Sequence, residues 1–354
     1  MKILFIVPYP LLSAPSQRFR FEQYFEAMKK EGIQYEVQSF IDEGTWNILY
    51  KKGFVFRKVY GIIKGFARRK LLFFKLYKYN WIFIHREAAP IGPPIFEWII
   101  AKVFRKKIIY DFDDAIWLEN VSESNKLISK LKWYSKVSSI IKWSEKISCG
   151  NNFLCMYAEK YNSNVILNPT TIDMKNLHSE TKNQNTERLA IGWTGTHSTI
   201  KYLEPIVPII KELEKQFDFQ FLVISNRKPD WNFKSLQYIE WNKETEVADL
   251  LKMNIGLMPI PDDDWAKGKC GFKALQYMSL GIPALVSPVA VNKKIVDSGI
   301  NGYWCGSEEE WKQAIMLLLQ NTELRISMGT AAKEKIKNHF SVESNTTNFL
   351  NLFK

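Results

Sequence analysis

Several common scaffolds are excluded by what the 354-residue chain lacks. Its four cysteines (Cys149, Cys155, Cys270 and Cys305) include no CxxC pair, so they build neither a disulfide framework nor a zinc site and are expected as reduced, mostly buried thiols. No stretch reaches the roughly 18 uninterrupted apolar residues of a membrane-crossing helix. Low-complexity runs are missing too, and an apolar content of 46% is ordinary for a globular protein. The opening MKILFIVPYP has a lysine and a short apolar run but no small-residue cleavage site after it, so it is read as a buried strand and the protein is expected in the cytoplasm. Acidic residues vanish altogether between Glu43 and Glu87.

The length suits two domains, each able to bury a sizeable core. Charge divides unequally between them. Residues 1–170 hold 27 lysines and arginines against 15 acidic residues, and residues 171–354 hold 22 against 22, so the whole net charge of +12 lies in the first half. That asymmetry calls for an anionic partner: a membrane surface, a nucleic acid or a phosphorylated acceptor. No RNP-like, zinc-finger or helix-turn-helix pattern accompanies the charge, and nucleic acid is set aside.

The excess concentrates where acids are absent. Ten of residues 51–78 are lysine or arginine, interleaved with aromatics, and Val55, Val59, Ile62, Phe66 and Phe73 fall near one helical face. A basic amphipathic helix of this kind suits the surface of an anionic membrane. The plain alternative is an internal helix with wet lysines.

The first half otherwise alternates strands and helices. Lys2 to Val7, Ile33 to Phe40, Trp81 to Ile84, Ile108 to Tyr110, Glu145 to Cys149 and Asn164 to Leu167 are expected strands, with helices over Arg18 to Lys30 and residues 124–142. In a doubly wound parallel sheet the loops after the strands line the ligand crevice. Ser16, Arg18 and Arg20 are therefore candidate acceptor-binding residues, with a capping serine and solvated arginines as the bland reading. Arg86 and Glu87 after one strand, and Asp111, Asp113 and Asp114 at the end of the next, should meet at one sheet edge as candidate catalytic groups. They would orient or deprotonate a hydroxyl, or pair with Arg86 as structure only.

The second half is organised around residues 262–288, DDDWAKGKCGFKALQYMSLGIPALVSP. Ala274, Leu275, Met278 and Leu280 give a helix its buried side, Gly281 ends it, and Ile282 to Val286 continues as a strand. A glycine loop opening a helix, with Lys267, Lys269 and Lys273 around it, suits a phosphate or pyrophosphate. Upstream, the run from Leu189 to Lys201, with Gly195, Thr196 and His197 before a helix expected at about 199–215, offers a second such start. Strands are expected at Phe219 to Ile224, Tyr238 to Trp241 and Asn254 to Ile260, with Trp241 placed where a base would stack. The polar segment from Asn168 to Arg188 is the expected linker.

The pattern Lys273-Ala-Leu-Gln276-Tyr-Met-Ser-Leu-Gly281-Ile-Pro283, followed by Ser287 to Asn292 and Ile295 to Gly302, resembles the donor-binding segment of family 4 glycosyltransferases. The resemblance implies an α/β protein of GT-B fold, with two facing Rossmann-like domains built on parallel sheets. The expected division is residues 1–170 for the acceptor, 171–340 for the donor nucleotide and 341–354 as a helix crossing back. It implies a retaining transferase moving a sugar from a nucleotide diphosphate to an acceptor hydroxyl, with no cofactor or obligatory metal. Lys201 matches the family's pyrophosphate lysine, while Thr196 stands where an arginine is usual. Gly268 and Gln276 occupy the places of two glutamates, leaving Gln276 to accept from a ribose hydroxyl. Asp111-Phe-Asp113 also has the form of the metal-holding Asp-x-Asp of GT-A enzymes, but that fold does not explain the second Rossmann-like half. The expected partners are a nucleotide sugar, a glycan or lipid-linked acceptor of bacterial surface polysaccharide synthesis, and the inner face of the cell membrane. A sugar-nucleotide epimerase and a non-catalytic nucleotide-sugar binder are the rival readings.

Overall fold

The computed structural model describes residues 1–49, 51, 53–119 and 132–354. They form two compact units, Met1–Thr170 with Thr346–Lys354, and Thr171–Asn345.

The first unit carries β1 (Lys2–Val7), β2 (Gln34–Ser39), β3 (Trp81–His85), β4 (Lys107–Phe112), β5 (Lys146–Cys149) and β6 (Val165–Leu167). All pair in parallel, in the order β2-β1-β3-β4-β5-β6. Ile3 to Val7 and Ile82 to Ile84 are buried residue after residue, because helices cover both faces of such a sheet and no position is left for alternation. The chain runs from β1 to β2 on one side and returns to β3 on the other, so the crevice of this unit opens at the carboxyl ends of β1 and β3. The final segment belongs here: Phe349 stacks on Tyr24 with ring centroids 4.3 Å apart, and Lys146 Nζ donates to the Lys354 carbonyl at 2.7 Å.

The second unit repeats the plan with β7 (Leu189–Gly195), β8 (Phe219–Ser225), β9 (Leu236–Glu240), β10 (Ile255–Met258), β11 (Ala284–Val286) and β12 (Gly302–Trp304), ordered β12-β11-β10-β7-β8-β9. Its core gathers Trp193, Ile210, Phe221, Leu257 and Ile315. Here the direction of winding reverses between β7 and β10. Gly192 and Gly256 stand side by side on these two strands, and a Cβ on either would lie 2.2 Å from Met253 or 2.3 Å from Tyr277. Neighbouring side chains therefore press directly on the backbone at the switch point.

Five expectations change. The helix over Arg18 to Lys30 is broken into turns at Pro15–Arg18 and Glu22–Tyr24 and a helix only at Phe25–Lys30. Side chains compete with the helical ladder there: Glu22 accepts from the Leu12 amide at 2.8 Å, and Gln17 donates to Glu22 at 3.1 Å. The helix expected at 199–215 is a single turn, Ile200–Leu203, followed by Val207–Leu213. Part of the expected 124–142 helix lies outside the described residues, and the described helix is Lys136–Trp143. The expected linker contains the boundary between the units and is exposed over much of its length, yet parts of it are packed. Ile172, His178 and Gln184 are buried, Lys182 Nζ donates to the Leu251 carbonyl, and Gln184 to that of Asn254, so some of its polar groups satisfy backbone carbonyls.

The fifth change concerns the basic helix, which is Val55–Leu72. Its buried residues are Gly61, Gly65, Arg69 and Leu72; of the expected apolar face Val55 and Val59 are exposed, while Ile62, Phe66 and Phe73 are half-buried and Phe66 and Phe73 pack on Phe96. Glycine permits the contact: a Cβ on Gly61 would lie 2.2 Å from Thr45, and one on Gly65 2.7 Å from Phe40.

Candidate active site

In the first unit, the carboxyl ends of β3 and β4 bring His85 opposite Asp111. Asp111 is fully buried and serves three partners: it pairs with Arg20, meets His85 Nδ1 at 2.7 Å, and accepts from Ser148 Oγ at 2.6 Å. Burial opposes its charge, but Arg20 and His85 prevail and hold its carboxyl below the usual carboxylate range. Arg20 also donates to the Asn168 carbonyl, so its guanidinium is an interior brace between β4 and the end of β6. His85 Nε2 is buried without a protein partner among the described residues.

A second cluster follows one residue later. Arg86 adopts φ 60, a left-handed backbone that non-glycine residues rarely take. In that conformation its Nε donates to Asp113 at 2.8 Å and its terminal nitrogen to Asp114 at 2.6 Å. Burial works against its charge, and the two aspartates more than offset this, pushing its pKa up. Glu87 binds Lys136 Nζ at 2.6 Å. Asp111 and Asp113 thus engage different partners and do not converge as an Asp-x-Asp pair. Arg18 is buried with its guanidinium 5.0 Å from the Phe19 ring centroid, and Ser16 is half-buried in the one-turn helix beside it.

The second unit builds a denser site at the carboxyl ends of β7 and β10. The helix Phe272–Ser279 begins at Gly271 with φ +70, where a Cβ would lie 2.1 Å from Ile295. Only glycine combines that backbone with that contact. Tyr277 fastens this helix to both strands: its hydroxyl accepts from the Thr194 amide at 3.0 Å and donates to the Leu257 carbonyl at 3.3 Å. Lys273, in the first turn, lies with Nζ 5.6 Å from the Trp193 ring centroid. Gly195 lies directly against the same indole, from which a Cβ there would stand 2.5 Å. Asn292 is fully buried with Nδ2 donating to Ser287, while its Oδ1, beside Gly271, has no protein partner among the described residues.

The other expected donor residues are spread around this centre. Thr196 and His197 are exposed, with the His197 amide donating to Asn226 at 2.8 Å. Thr199 does not cap a helix; its hydroxyl donates back to the Thr196 carbonyl at 3.0 Å. Lys201 is exposed beside the Tyr202 ring. Lys269 is half-buried with its ammonium 4.7 Å from the Trp265 centroid, and Lys267 turns to Asp264 at 3.2 Å. Trp241 follows β9, two strands from β7. Gln276 is 2% exposed, and its Nε2 donates to Glu246 at 3.4 Å. Tyr277, Asn292 and Glu246 escaped the sequence reading. The signal for Tyr277 was Gly256, a glycine inside an apolar strand.

This chemistry, a lysine ammonium near an indole beside a glycine-opened helix at a switch point, suits an anionic group such as a diphosphate. Comparison with known proteins points the same way. Residues 234–335 match the family model of group 1 glycosyl transferases. No curated protein sequence matches the chain. Among solved structures, a glycosyltransferase from Rickettsia africae is similar with TM-score 0.69 and 13% identity, covering 100% of this chain and 97% of that one. Sucrose-phosphate synthase from Thermosynechococcus elongatus gives 0.68 and 11%, covering 99% and 98%. Anabaena HepE in complex with UDP gives 0.63 and 12%, covering 99% of each. At such identities the likeness establishes the fold, two Rossmann-like units of the GT-B kind.

Proposed function

We propose, from the premise of a GT-B fold whose residues 234–335 carry the group 1 glycosyl transferase pattern, that the protein transfers a sugar from a nucleotide diphosphate to an acceptor hydroxyl. The observation that carries this reading is Lys273, held in the first turn of the glycine-opened helix at the ends of β7 and β10. A departing nucleotide diphosphate accumulates negative charge, and a fixed ammonium and helix amino end offset it without reorganising at the moment of reaction. Lys201 and Lys269 add to the same field. In the first unit Asp113 and Asp114, with Arg86 and Glu87, orient the acceptor hydroxyl, and the reaction retains the anomeric configuration without a required metal. The acceptor is a glycan or lipid-linked sugar of surface polysaccharide synthesis, as the basic first half suggests.

A thermal-shift screen over nucleoside diphosphates and their sugars tests the donor side, since a ligand bound only by the native state raises apparent stability. Stabilisation by one nucleotide series, followed by acceptor-dependent release of its diphosphate in the presence of chelator, is expected. No stabilisation by any nucleotide would refute the reading. Epimerised nucleotide sugar formed without acceptor would replace it with an epimerase.

A further inference from the structure

The helix Val55–Leu72 is amphipathic in the wrong sense for a helix that merely covers a sheet. Its fully buried residues are two glycines, a leucine and Arg69, with half-buried Phe66 packed on Phe40 and Phe96, and Arg69 is spent on backbone carbonyls: Nε on Ala88 at 2.8 Å and its terminal nitrogens on Gln38 at 2.9 Å and Val7 at 2.8 Å. The outward side carries Phe56, Tyr60, Ile63 and Leu71, which recur at the spacing of one helical face. Phe56 is 91% exposed. The stripe continues into the turn Phe73–Lys78, where Phe74 and Tyr77 are 78% and 74% exposed. A contiguous apolar surface of this kind on a folded unit marks a contact.

We propose that this face docks the protein on an anionic lipid bilayer, with the helix lying in the interfacial plane. Charge complementarity selects that partner. Arg57 flanks the stripe on one side and Lys70 on the other, and Lys75 and Lys78 follow at its end, all exposed, while Lys64 pairs with Asp42 at 3.0 Å. Apolar side chains on the axis with cations at both margins match acyl chains bordered by anionic headgroups. No helix of the described residues is long and apolar enough to cross the bilayer, so the contact is from one side. The proposal stands apart from glycosyl transfer, because it needs neither donor nor acceptor.

The test is co-sedimentation of the full chain with vesicles of phosphatidylcholine alone or mixed with phosphatidylglycerol. Binding is expected to the mixed vesicles, weakly to the neutral ones, and to fall with salt. Lys70→Gln, Lys75→Gln and Lys78→Gln together should weaken it on the order of a hundredfold, at about fivefold per lysine. Phe56→Ser with Phe74→Ser should weaken it by about tenfold per side chain even at low salt. Arg68 and Arg69 are left intact, since Arg68 donates to the Phe40 carbonyl and Arg69 braces the sheet. Unchanged melting of every variant confirms that the fold survives. Equal binding to both vesicle types, no binding to either, or insensitivity to the phenylalanine substitutions would overturn the proposal. So would a concentration-dependent dimer abolished by Phe56→Ser, which would assign the stripe to a second copy of the chain.

Discussion

Replacing Lys273 by methionine removes one charge and keeps most of the aliphatic stem, so it separates what the ammonium does for the fold from what it does for a ligand. In the fold its Nζ lies 5.6 Å from the centroid of the Trp193 ring. A half-exposed cation–π contact contributes about 0.5–1 kcal/mol, so the variant should melt within a few degrees of the parent. A charge-assisted hydrogen bond to a diphosphate oxygen is worth roughly 1.5–3 kcal/mol, which corresponds to about a tenfold to hundredfold loss of affinity. Isothermal titration with the nucleoside diphosphate that binds the parent protein, and with its parent nucleoside, reads both quantities. The diphosphate should lose the full factor, the nucleoside almost nothing, and the difference should narrow as salt rises. A loss below threefold for the diphosphate, or equal losses for both ligands with the fold intact, would remove Lys273 from phosphate recognition.

Tyr277→Phe leaves the ring in place but unpairs the Thr194 amide and the Leu257 carbonyl. It should cost about 1–3 kcal/mol of stability in chemical denaturation and weaken diphosphate binding by loosening the helix that presents Lys273; unaltered stability would show that the phenol does not hold that junction. Asp111 predicts an acid limb. Its folded pKa lies below the ordinary carboxylate value, so its contribution is complete above about pH 4 and is lost as pH falls further through the folded value. Asp111→Asn should lower stability near neutrality by roughly 3–5 kcal/mol, since the buried Arg20 loses its carboxylate, and make the fall below about pH 4 shallower. An acid limb as steep as the parent's would contradict this.

The strands were legible because burial on both faces writes them as unbroken apolar runs, as at Ile3 to Val7, and the glycine-opened helix was legible because Gly271, the following apolar spacing and Gly281 are local signals. Lys273 and Gly195 could be named for the same reason, each lying next to a turn that sequence alone specifies. Partner choice was not legible. Arg20 and Asp111 are 91 positions apart and become one ion pair only when the turns after β1 fold against the carboxyl end of β4, and Gln276 meets Glu246 across 30 positions. The helix Val55–Leu72 shows the limit most clearly. Periodicity in the sequence defines faces of that helix, but which one turns inward was decided by the close approach of Thr45 and Phe40, which admit glycine and nothing larger and leave Phe56, Tyr60 and Ile63 to the outside.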